Sequence, residues 1–150
     1  MHLRLCGLLL ASLAGQSLAL GREVPYAEAR EQFASLRQIV DCGTWRLQTA
    51  SGDLRLLRYS LYGQDLLFVD RIGPAGAGER WQVERGYGFA EINNDHAEWQ
   101  FEQLHCSSDG KAGLALEGLA ESGHDQSRWN IRIHLDLSDG HYRYEASPSE

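Results

Sequence analysis

Arg128-Trp-Asn-Ile-Arg-Ile-His-Leu-Asp-Leu137 is the stretch that decides the fold class. Trp129, Ile131, Ile133, Leu135 and Leu137 fall on one side of a two-residue period, and Asn130, Arg132, His134 and Asp136 on the other. This alternation predicts a strand with one buried face. Asp139-Gly140 follows, a dipeptide that tolerates the positive backbone angles of a tight hairpin turn, and residues 141–145 alternate again. With Asp139-Gly140 as a two-residue loop, Leu137 faces Tyr142, Leu135 faces Tyr144, Asp136 faces Arg143 and His134 faces Glu145. Apolar side chains then meet on one face, and charged or polar ones on the other.

Working outward, short alternating runs separated by turn residues extend back to residue 44, at the spacing of an antiparallel meander. The runs place strands at 44–50, 54–62, 66–72, 80–85, 88–93, 96–107, 111–121, 126–137 and 141–145, with a turn at Gly86-Tyr87. Upstream, Pro25 suits a first helical turn, and Ala29, Phe33, Leu36 and Val40 recur at helical spacing, predicting an amphipathic helix over 25–40. Strands 54–62 and 66–72 carry leucines on both faces, so both faces of that hairpin require cover, and the helix is the available cover. The expected fold is mainly β: an up-and-down meander forming a small closed or partly open β-barrel, or a strongly bent sheet, with the helix packed outside.

Residues 1–19 read as a secretory signal: Arg4, a short apolar run, and Ser17-Leu18-Ala19 before a cleavage point. The mature chain, 20–150, is then one exported domain, and a single lysine among fourteen basic residues leans the reading towards a bacterial periplasm. The run is too short to span a membrane, and no later stretch is long and apolar enough. Formal charge is −7; losing the signal removes one basic residue and no acidic one, which makes it −8. Nucleic acid and anionic membranes want a basic patch, so neither is an expected partner, whereas a basic protein is. Cys42 and Cys106 remain, and two cysteines without metal or redox spacing in an oxidising compartment predict one disulfide.

No nucleophile elbow, phosphate-binding glycine loop or zinc-protease motif occurs, and no cofactor is implied. The glycine-rich stretch from Pro74 to Gly78, with Glu79 and Arg80 after it, reads as a loop able to meet a partner. A two-residue loop at Asp109-Gly110 would place Phe101 opposite Gly118 and Trp99 opposite Ala120. It would also turn Gln103 and His105 inward beside Leu114 and Leu116, so that Trp99, Phe101, Gln103, His105 and Trp129 could line a pocket inside the barrel. The same register brings the turns at 94–95 and 123–125 together. Asp95, His96, His124 and Asp125 then share an edge, as partner contacts or as two imidazoles and two carboxylates suited to zinc or copper, against the plainer reading of solvated turn residues. The leading functional expectation is a non-enzymatic exported binding protein of the inhibitor or immunity type. A carrier of a small apolar ligand is second, and a metal-dependent enzyme third.

Overall fold

The computed structural model describes residues 34–61, 63–74, 81–94 and 96–150. Among these, the chain forms strands β1 (Leu36–Leu47), β2 (Ala50–Leu61), β3 (Gln64–Pro74) and β4 (Trp81–Gly88), a helical turn α1 (Ala90–Asn93), then β5 (Trp99–Ser108), β6 (Gly113–Ser122), β7 (Arg128–Asp136) and β8 (Tyr142–Pro148). The chain is mainly β, but not a barrel: it makes two antiparallel four-stranded sheets, ordered β1-β2-β3-β4 and β5-β6-β7-β8. In β7 the alternation holds, with Ile131, Ile133 and Leu135 buried and Asn130, Arg132 and His134 exposed. Burying each such aliphatic side chain is worth roughly 1.5–3 kcal/mol, enough to fix which face turns inward.

The meander breaks between β4 and β5, where Phe89 and Ile92 leave the sheet and plug the core. Asn93 takes the place of a neighbouring strand: its side chain accepts from the Leu67 amide and donates to the Leu67 carbonyl, both at 2.8 Å. Gln64 donates to the Asn94 carbonyl and accepts from the Glu98 amide, while buried Asp65 accepts from the Phe101 amide at 2.7 Å and pairs with Arg58. The start of β3 thus pins the crossing segment. The expected strand at 88–93 is replaced by this turn and plug. Gly86-Tyr87 does not reverse the chain but continues β4. The expected turn there belonged to a single meander, whereas the chain changes sheets after β4.

Further fastenings hold the sheets together. On one side Cys42 and Cys106 are bonded, with S–S 2.00 Å and Cα–Cα 4.9 Å, and Ser108 Oγ donates to the Thr44 carbonyl nearby. The bridge joins β1 to β5 on the inner faces. Its 64-residue separation corresponds to about 4 kcal/mol in the chain-entropy account. On the other side, Arg71 and Tyr87 both donate to the Leu137 carbonyl, at 3.1 and 2.9 Å, and Arg85 donates to the Asp139 carbonyl. Between them lies the core of Trp45, Leu54, Leu56, Leu67, Val69, Phe101, Leu104, Leu116, Ile131, Ile133 and Leu137.

The expected helix over 25–40 meets β1 at its C-terminal end: Leu36–Val40 are strand, and residues 25–33 lie outside the described residues. Register shifts between Leu36 and Gln38 and between Asp41 and Gly43 break the two-residue period of β1. Of the four residues at helical spacing only Leu36 and Val40 are described, and the first shift places them on opposite faces of β1, opposite Tyr59 and Leu56.

Candidate functional site

The register of β5 against β6 decides where the candidate pocket residues point. Asp109 accepts from the amides of Lys111 and Gly113, at 2.7 and 3.0 Å, and widens the hairpin loop, so Ser108 pairs with Leu114. Next to this loop the register lies three residues from that of a two-residue turn, and an odd shift exchanges faces. Gln103 therefore pairs with Leu119 and His105 with Glu117, both exposed on the outer face, while Leu114 and Leu116 are buried. A bulge at Glu102 takes up one residue, and Phe101 pairs with Ala120, back on the inner face. Phe101 lies in the core, where Trp99 and Trp129 meet edge to face at 6.3 Å. The space bounded by Leu67, Phe101, Leu104, Leu116, Ile131 and Ile133 has no room for water. The five residues do not form an inner pocket: three are packed, and two face away.

His96 and His124 are brought together. His124 Nε2 lies 2.8 Å from the His96 carbonyl, and its Nδ1 is 3.7 Å from Glu98. A carbonyl only accepts, so Nε2 carries the proton and is spent as a ligand. Asp125 turns back on its own chain, accepting from the amide and hydroxyl of Ser127 at 3.0 and 2.5 Å, and these bonds hold its carboxyl below the usual carboxylate range. Asp95, Glu79 and Arg80 lie outside the described residues. Among the described residues, no group of three or more His, Cys, Asp or Glu side chains is arranged to hold a metal.

Pro74, at the exposed end of β3, pairs with Trp81, and Ile72 pairs with Val83. These four side chains share the outer corner of the first sheet, and β4 is an edge strand there. Among the described residues, the exposed large apolar side chains are Trp81 at 60%, Val83 at 47%, Leu61 on β2 and Ile39 on the opposite edge strand. The reading of sequence missed Trp81 and Val83, because an apolar face on a free edge has the same alternation as one turned to the core.

A second surface covers the outer face of the other sheet, where a groove of about 440 Å³ is lined from all four strands. Two cross-strand rows form its banks: His105, Glu117, Arg132 and Glu145, and Gln103, Leu119, Asn130 and Ser147. Arg132 Nε donates to Glu117 at 2.9 Å, and Arg143 Nε lies 3.0 Å from Glu145. Compared with protein-family models, curated proteins and solved structures, the chain matches none.

Proposed function

We propose that this is an exported, non-enzymatic binding protein that acts through protein contacts, centred on the corner formed by Trp81, Val83, Pro74 and Ile72. The observation that carries this reading is the exposure of Trp81 on an edge strand. An exposed tryptophan flanked by apolar neighbours loses stability to water unless a partner covers it, and tryptophan is the residue most enriched among interface anchors. The predicted signal at 1–19 and the Cys42–Cys106 disulfide support an oxidising compartment beyond the inner membrane. The acidic balance of −7 favours a basic partner, and the finer reading is an inhibitor or neutraliser of another exported protein.

The test is affinity capture from periplasmic extract with the wild-type protein and with a Trp81→Ser, Val83→Ser variant. Both side chains are largely solvated, so the variant keeps its fold. The expected result is a discrete partner retained by wild type, weakened by added salt, and lost from the variant by about 2 kcal/mol or more. Equal recovery of the same partner by both proteins would remove the corner from the account.

A further inference from the structure

The groove on the outer face of the β5–β8 sheet is independent of the Trp81 corner, and its chemistry narrows what could occupy it. Its carboxylates are committed: Glu117 to Arg132, and Glu145 to Arg143. With its charges paired, the groove presents no cluster of one sign to a strongly anionic or cationic ligand. Its apolar lining is limited to Leu119, Ala146 and Gly118 with the core residue Ile131, and no phenyl, phenol or indole ring is present, which argues against an apolar ligand. What remains is hydrogen-bonding capacity. The side chains of Gln103, His105, Asn130 and Ser147 make no hydrogen bond to another described residue, and all four are exposed on the groove.

The spacing of these groups is also informative. The two rows are two residues apart along each strand, about 6.8 Å, and they cross three strand intervals, about 14 Å. Backbone donors and acceptors point along the ladders and not out of the face, so a ligand laid across the strands on this face is read by side chains. An extended peptide in that orientation would gain no backbone pairing. A chain of pyranose rings presents hydroxyls along both edges at this width, and amides, carboxylates and guanidinium groups meet vicinal hydroxyls in pairs.

We propose that this groove binds a neutral oligosaccharide of two to three rings, laid across the strands, with Gln103 and Asn130 on one bank and Arg132 and Glu117 on the other as its principal contacts. The face owes its shape to the Glu102 bulge, which turns Gln103 outward, and to Gly118, where the Phe101 ring packs so close that a Cβ would come within 2.7 Å of it.

The test follows the amide resonances of the folded, disulfide-bonded protein by NMR during titration with chitotetraose, cellotetraose and maltotetraose, and separately with an uncharged extended tetrapeptide. Saturable shifts of the Gln103 and Asn130 side-chain amides with at least one saccharide at low-millimolar concentration are expected. Gln103→Ala and Asn130→Ala should each weaken that binding about tenfold, equivalent to 1.4 kcal/mol. A control change at His134, in the neighbouring row, should leave it unaltered. No shift with any of the three saccharides, shifts that persist in both alanine variants, or shifts with the tetrapeptide alone would overturn the proposal.

Discussion

Gly52 shows how a single residue carries two readings. In the sequence Ser51-Gly52-Asp53 resembles a turn, yet the chain reverses earlier, at Gln48 and Thr49, and Leu47 pairs with Ala50. Gly52 instead lies buried within β2 opposite Trp45, whose indole Nε1 donates to the Ile72 carbonyl at 2.8 Å across the space a side chain would fill. A Cβ there would meet the Ile72 oxygen at 1.9 Å and Trp45 Nε1 at 2.9 Å. Gly52→Ala should therefore destabilise the domain by about 1–3 kcal/mol through overpacking, with further loss if the indole bond breaks. Urea denaturation checks this, and a variant as stable as wild type would show that the Trp45 contact is not made. A turn glycine and a close-approach glycine are identical as letters; what separates them is the partner across the sheet, which local sequence does not contain.

At the scale of elements, alternation was legible and register was not. In the β7–β8 hairpin the Asp136 amide donates to the His141 carbonyl, and Leu135, not Leu137, pairs with Tyr142. The shift from the expected pairing is two residues, so the faces survive and only the partners change: Arg132, not His134, stands opposite Glu145. In the β5–β6 hairpin the shift beside the loop is odd, and it carried Gln103 and His105 from the expected interior to the surface. Asx-type bonds at the loop starts set both lengths, and their strength can be tested. Asp136 Oδ1 accepts from the Ser138 amide and hydroxyl, at 2.8 and 2.5 Å, and these bonds hold the carboxyl below its ordinary 3.8. A carboxyl lowered in the folded state contributes stability that is complete above the unfolded value and is lost as pH falls through the folded one. NMR titration should give Asp136 a midpoint below 3.8, moved up towards that value by Ser138→Ala; a midpoint at or above 3.8 in the wild type would contradict the bond.

For the whole molecule, composition and periodicity disclosed a β-rich chain and the Cys42–Cys106 bridge, since both follow from local pattern and residue count. The division into two sheets did not emerge. It depends on Phe89 and Ile92 leaving the meander for the core and on Asn93, Gln64 and Asp65 binding backbone groups far along the chain. Each is a long-range choice with no periodic signature. The same holds for function: the corner at Trp81 and the groove at Gln103 and Asn130 exist only once strand order and register are set. The claim proposed above is that the Trp81 corner meets another protein, and site-specific photo-crosslinking in cells producing the chain tests it most directly. A photoreactive phenylalanine in place of Trp81 should yield one discrete adduct, and the same group in place of Ser138, on the turn after β7, should yield none. No adduct from position 81, or the same adducts from both positions, would contradict it.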